Sequence, residues 1–199
     1  MLHKISSQFR KPDGWLGKII SKLMIKGNSR EYDKMLRELD VKPGDRIFEI
    51  GYGPGIGIDQ ICSSFDCHVS GIDFSELMFK QASERNKIHV QKNKAKLFYG
   101  DFLDFEMPAT GYDKIFCLNV IYFWDNLNIP FTKIRSLLKE VGWFCFTMAA
   151  KDHLDKAPFA SDRVFNKYSI ETVVAELQNG GFTDINYNFD WVYFVKCRK

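Results

Sequence analysis

Arg46-Ile-Phe-Glu-Ile-Gly-Tyr-Gly-Pro-Gly-Ile-Gly57 is the stretch on which the reading of this 199-residue chain turns. A short apolar run carries one acid, Glu49, and then breaks into glycines at 51, 53, 55 and 57. A buried strand that passes through a glycine-rich turn into a helix is a common build for nucleotide-like cofactor sites, because the turn is tight and the ligand must touch bare backbone. The spacing excludes two versions of such a site. A dinucleotide fingerprint needs Gly-x-Gly-x-x-Gly, and counting from Gly51 or Gly53 puts Ile56 or Ile58 where the third glycine should stand. No Gly-Lys-Ser/Thr closes the loop, so it is not a phosphate-cradling P-loop either.

Outward from the loop, strand and helix patterns alternate. Strands are expected at 46–50, 68–73, 95–99, 114–122 with its exit, and 142–150. Helices are expected at 56–64, from a Ser75 cap to about 90, and at 128–139. Ser169 to Gly181 has the cap and glycine stop of a further helix. The segments 182–189 and 191–198 alternate with almost nothing between them, so they must be neighbouring antiparallel strands. Such alternation forces a mostly parallel sheet with helices on both faces. The expected fold is α/β: a three-layer α/β/α sandwich with a mostly parallel seven-stranded sheet and one antiparallel strand from the C-terminal hairpin.

Residues 1–13 are polar and read as loose, and 151–167 as a mobile connection. From Trp15 to Lys26, Leu16, Ile19, Ile20, Leu23 and Met24 follow helical spacing, while Lys18, Lys22 and Lys26 line another face. A second helix over 29–39 turns Tyr32, Met35, Leu36 and Leu39 inward. The chain is read as a single domain, 1–199, in which 1–40 forms a helical cover over the cofactor site. A basic amphipathic helix with a Trp also suits a lipid surface. Peripheral membrane contact is therefore a second reading, ranked behind the cover.

Composition narrows the class. Hydrophobic residues make up 45% and net charge is +3, as in an ordinary globular protein. No apolar run is long enough to span a membrane and the N-terminus lacks the core of a secretion signal, so a cytoplasmic location is expected. Five cysteines are scattered without a Cys-x-x-Cys pair, and Cys62, Cys67 and His68 lack the spacing of zinc motifs, so no metal is expected. The basic cluster at 87–96 comes with no base-reading motif, so nucleic acid is not an expected partner.

The stretch Phe48-Glu-Ile-Gly-Tyr-Gly-Pro-Gly55 resembles the first motif of class I S-adenosylmethionine-dependent methyltransferases. The resemblance runs through nearly the whole chain. Gly71-Ile-Asp-Phe-Ser75 is similar to the second motif, Gly100-Asp-Phe102 to the third, and Tyr112 to Tyr122 to the fourth. Leu137-Leu-Lys-Glu-Val-Gly-Trp-Phe144 stands where that family has Leu-Lys-Pro-Gly-Gly, with Glu140 and Val141 replacing the Pro-Gly part. The terminal hairpin matches the family's sheet, whose last strand runs antiparallel between its neighbours.

The resemblance implies S-adenosylmethionine as cofactor and a small-molecule methyl acceptor, apolar or lipid-like acceptors included. The alternative is a non-catalytic module that binds the same cofactor and regulates a partner. Cofactor contacts are expected from Glu49, Gly51, Gly53 and Gly55 of the loop. Asp73 is placed for the two ribose hydroxyls, which a carboxylate can accept. Phe74 and Met78 flank the adenine, Asp101 and Phe102 meet its edge, and Asn119 and Val120 line the methionine moiety. Glu49 is expected half-buried beside the loop. No committed base is visible; Tyr122 and His153 are the candidates for a catalytic role.

Overall fold

The computed structural model of the protein describes residues 2–108 and 110–199. Seven strands form one sheet in the order β3-β2-β1-β4-β5-β7-β6. They are β1 (Arg46–Ile50), β2 (His68–Asp73), β3 (Ala95–Tyr99), β4 (Tyr112–Leu118), β5 (Leu138–Met148), β6 (Thr183–Phe189) and β7 (Tyr193–Arg198). The first five pair in parallel. β7 lies between β5 and β6 and is antiparallel to both. The chain order reverses between β1 and β4, and ligands of open α/β sheets bind beyond the carboxyl ends of the strands at such a switch.

Helices α3 (Ser29–Leu39), α4 (Ile56–Ser64) and α5 (Glu76–Arg85) cover one face of the sheet. Helices α7 (Asn128–Leu137) and α9 (Ile170–Asn179) cover the other. Strand parity decides which side chain goes where. In β1, Phe48 and Ile50 pack with α7 and α9, whereas Ile47 packs with α3 and α4. Glu49 shares the parity of Ile47 and is therefore sent to the α3–α4 side, away from the loop's open face.

Four expectations are corrected. Residues 2–10, expected to be loose, form helix α1 (Leu2–Arg10). Its Phe9 ring stacks on Phe159 at 4.7 Å and Ser6 Oγ donates to the Phe159 carbonyl, so distant contacts hold a segment with weak local signal. The long helix after Ser75 breaks at Asn86 into α5 and α6 (Lys87–Gln91). There the Asn86 amide donates to the carbonyls of Gly55 and Ala82, tying the break to the glycine loop. Strand β5 starts at Leu138, directly after α7, rather than at Gly142. The stretch 151–167 holds helix α8 (Lys151–Lys156) and buries Leu154, Ala160, Val164 and Phe165 around Tyr122, so it is a packed segment.

Helix α2 (Gly14–Gly27) follows a cap in which Asp13 accepts from the Gly14 amide. Its buried side carries Gly17, Ile20 and Ser21. Ile19 and Leu23, which the helical spacing grouped with the inner residues, face solvent instead. No helix among the described residues is long and apolar enough to cross a membrane. All five cysteines are free and buried.

Candidate active site

The glycine spacing has a backbone cause. Gly51, Gly53 and Gly55 have φ of 71°, 52° and 76°, a region that side chains with a Cβ rarely enter. The alternation lets the chain leave β1, whose ladder ends with the Gly51 amide donating to the Ile72 carbonyl, and reach the first turn of α4 in four residues. A Cβ at Gly51 would lie 2.7 Å from Val120 Cγ2, so the loop also packs tightly on the exit of β4. At Gly53 a Cβ would meet nothing within 4 Å, and this glycine faces open space. Gly57 serves a different end. A Cβ there would lie 2.8 Å from Glu49 Oε2 and 2.9 Å from the Tyr32 ring, so its absence admits both against α4.

A cavity of about 320 Å³ lies beyond the carboxyl ends of β1, β2, β3 and β4. That is within the roughly 300–1,000 Å³ of small-molecule sites. Ile50, Gly51, Gly53, Asp73, Phe74, Met78, Gly100, Asp101, Phe102, Asn119 and Val120 line it. Nine of the eleven expected cofactor residues thus meet around one space. Gly55 does not reach the wall; it starts α4 and packs on Asn86 and Ala82. Glu49 does not reach it either. It is fully buried rather than half-buried, with Oε1 accepting from the Tyr32 hydroxyl at 3.4 Å and Oε2 lacking a hydrogen-bond partner. Burial pushes its carboxyl well above the usual range, and Tyr32 only partly opposes this.

Asp73 sits at the cavity floor, 8% exposed. Its Oδ2 accepts from the Gly53 amide at 2.9 Å and its Oδ1 from the Ser75 amide at 2.8 Å. Burial raises its pKa to about 6 against the lowering by these two amides. The carboxylate thereby bolts β2 to the glycine loop and keeps lone pairs for a ligand. Asp101 accepts from the Leu103 amide at 2.9 Å, shaping the turn that presents Phe102 and Leu103. Lys133 of α7 holds the same turn from behind. Its Nζ donates to the carbonyls of Leu103 and Phe105 at 2.9 and 2.7 Å and lies 5.2 Å from the Phe102 ring centroid.

Asn119 has φ of 58°, a left-handed conformation held from two sides. Its amide donates to the Thr147 carbonyl, and its Nδ2 donates to Glu31 Oε2 at 2.7 Å. Thr147 Oγ1 donates to the same oxygen at 2.8 Å. Glu31 is 5% exposed, and burial raises its pKa despite these two donors. Glu31 went unnoticed in the sequence, although it lies one turn before Met35 on the inward face of α3. The carbonyls of Val120 and Ile121 accept from Phe123 and Trp124 in a single 3-10 turn, 121–123. Ile121 is fully buried and takes no part in the wall.

A second part of the wall comes from Arg10 at the end of α1, Pro12 after it, Met24 of α2, and, in the segment after β4, Phe123, Trp124, Asp125, Asn126 and Ile129. The catalytic candidates do not join them. Tyr122 is 7% exposed and packs on Phe123 and Phe165, its hydroxyl pKa pushed well up by burial. His153 is an exposed residue of α8 beside Phe189.

The open backbone at Gly53, the buried carboxylate of Asp73 and the apolar walls at Met78 and Phe102 suit an uncharged ribose and a flat base better than a phosphate. No lysine lines the cavity among the described residues.

Comparison with known proteins is consistent with this geometry. A family profile described as "Methyltransferase domain" matches residues 47–142. "Uncharacterized methyltransferase YdaC" of Bacillus subtilis (strain 168) is 30% identical over 155 residues, covering 77% of this chain and 80% of that protein. "Phosphoethanolamine N-methyltransferase 2" of Caenorhabditis elegans is 26% identical over 163 residues, covering 77% of this chain but 37% of the longer relative. Among solved structures, Haemonchus contortus phosphoethanolamine N-methyltransferase 2 in complex with S-adenosyl-L-methionine superposes with a TM-score of 0.68 at 22% identity. That match covers 89% of this chain and 39% of that one.

Proposed function

The chain belongs to the class I S-adenosylmethionine-dependent methyltransferases and uses S-adenosylmethionine, and from that premise we propose that it methylates a small molecule held in the same cavity. The observation that carries this is the surplus of lining residues. Beside the nine expected cofactor residues, Arg10, Met24, Phe123, Trp124, Asp125 and Ile129 line the same cavity and are left for an acceptor. A cavity of about 320 Å³ roofed by α1–α2 residues suits a compact acceptor rather than a polymer.

The bound cofactor supplies a methyl group on a positively charged sulfur. Asp73 accepts from the ribose hydroxyls, the Asp101–Leu103 turn meets the base, and the Gly51–Gly53 backbone with Asn119 borders the methionine end. Arg10, Pro12 and Met24, from α1, α2 and the turn between them, act as the cover. Met24, Phe123, Trp124 and Ile129 hold the apolar part of the acceptor, and Arg10, the one cation among the described lining residues, receives an anionic group. The chain's main task is to align the nucleophile with the methyl carbon, an effect worth roughly 7–11 kcal/mol when the geometry is good. A nucleophile that arrives unprotonated needs no base.

Screening a metabolite library for S-adenosylhomocysteine release tests this reading. One or more small molecules should turn over, and Ile129→Ala, at an exposed residue of the wall, should raise the acceptor KM while leaving cofactor affinity unchanged. Methyl transfer to protein or RNA fractions with none to small molecules would overturn it.

A further inference from the structure

The outer face of α2 has no counterpart among the described residues. Its inner side is spoken for: Ile20 and Ser21 are 6% and 1% exposed, and a Cβ on Gly17 would lie 2.8 Å from the backbone of Pro12. On the outer side Trp15, Ile19 and Leu23 recur every four residues and are 73%, 46% and 59% exposed. Side chains at that interval stack along one ridge of a helix. Lys18 and Lys22 flank the ridge, both exposed. Helix α2 contains no acidic residue. Residues 1–27 carry six basic side chains and one acidic, leaving 22 basic against 24 acidic in the remainder. The positive charge of the whole chain is thus concentrated on the segment that carries the apolar ridge.

A solvated helix face would place polar side chains at 15, 19 and 23. An indole and two aliphatic side chains bordered by lysines answer instead to the two attractions of an anionic bilayer surface. Apolar groups enter the boundary between headgroups and acyl chains, and ammonium groups approach the lipid phosphates. We propose that α2 is an interfacial helix that seats the protein on an anionic lipid surface. Met24, on the same helix, lines the cavity, so the docked helix lies between the site and the lipid. The inference concerns where the enzyme sits and does not depend on the acceptor being a lipid.

Flotation of the full chain with vesicles tests it, using phosphatidylcholine alone and an equimolar mixture with phosphatidylglycerol. The chain should float with the mixed vesicles at low salt and be released as salt screens the lysines. Trp15 emission should shift to the blue on binding, and Trp15→Phe should abolish that shift. The double variant Ile19→Ser/Leu23→Ser should lower partitioning by on the order of tenfold or more, the scale expected for removing two buried aliphatic side chains from the lipid. Lys18→Glu/Lys22→Glu should lower it by a similar factor, on the mixed vesicles only. Both double variants change exposed residues outside the cavity wall, so calorimetry should show unchanged S-adenosylmethionine affinity. This separates failure of lipid docking from failure of the proposed function. Absence of flotation, or flotation insensitive to the Ile19/Leu23 change, would overturn the proposal. So would a solution dimer that the same double variant disperses, because a second copy would then cover the ridge.

Discussion

Cofactor affinity should depend on pH through Asp73, and the size of the effect follows from its surroundings. In the free protein burial raises this carboxyl to about 6 while two backbone amides hold it in place. Hydroxyl donors from a ribose favour the charged form, so binding draws on the ionised fraction. At pH 7 about nine-tenths of the protein has Asp73 ionised; at pH 5 about one-tenth does. Apparent affinity should therefore fall roughly tenfold between pH 7 and pH 5, about 1.4 kcal/mol, with the loss steepest below 6. The unliganded protein should respond in the opposite sense. Its raised Asp73 keeps a proton that the unfolded chain has already lost, so its stability falls as pH rises from about 4 to about 6. Calorimetric titration with S-adenosylmethionine from pH 5 to 7.5 measures the first effect, in a window where an α-amino group near 7.7–8.0 remains mostly charged. Asp73→Asn should bind at least about tenfold more weakly at pH 7 and should lose the slope. A flat profile in the parent protein, or the same slope in Asp73→Asn, would refute the assignment of Asp73 to the ribose.

Four further outcomes separate binding from architecture. Gly53→Ala should cost about 1–2 kcal/mol of stability from its left-handed φ yet weaken cofactor binding at least tenfold, because its Cβ enters open space at the wall. Gly51→Ala should lower the melting temperature further, because its Cβ meets Val120 as well; equal melting shifts would count against that packing. Lys133→Met should cost about 1–3 kcal/mol and raise the cofactor KM without changing kcat at saturation, since it frees two carbonyls of the Asp101–Phe105 turn. An unchanged KM would place that turn outside the cofactor contacts. Tyr122→Phe and His153→Ala should retain turnover, and a loss of about a hundredfold in either would restore it as a general acid or base.

The mostly parallel sheet and its closing hairpin were legible because parallel strands buried on both faces leave apolar runs, and because two adjoining β segments can only form a hairpin. That nine of the expected residues meet around one cavity was legible to the same extent: they stand at strand ends and turns, where local motifs fix the backbone. What escaped depends on distant contacts. Helix α1 has little to mark it until Phe9 finds Phe159 and Phe165. The packing of 151–167 around Tyr122 follows no period that a sequence can display. Glu49 was expected half-buried beside the loop and is fully buried, because alternation along β1 sends it to the face of Ile47 rather than that of Ile50. The rest of the cavity wall is assembled from α1, α2 and the segment after β4, so no single stretch announces it.

The position of β7 has a bearing on how the chain acquires its shape. Residues 193–198 fill the slot between β5 and β6 and pair on both edges. During synthesis the earlier strands can join as they emerge, but β6 has no neighbour until β7 arrives to bridge it to β5. A strand made after β6 is thus interior to it in the sheet, and the β5 flank waits as an unpaired edge in the meantime. Unpaired edges invite pairing with other chains. The lag between ribosomal exit of β5 and that of β7 is an interval in which the bare β5 edge is open to misassembly.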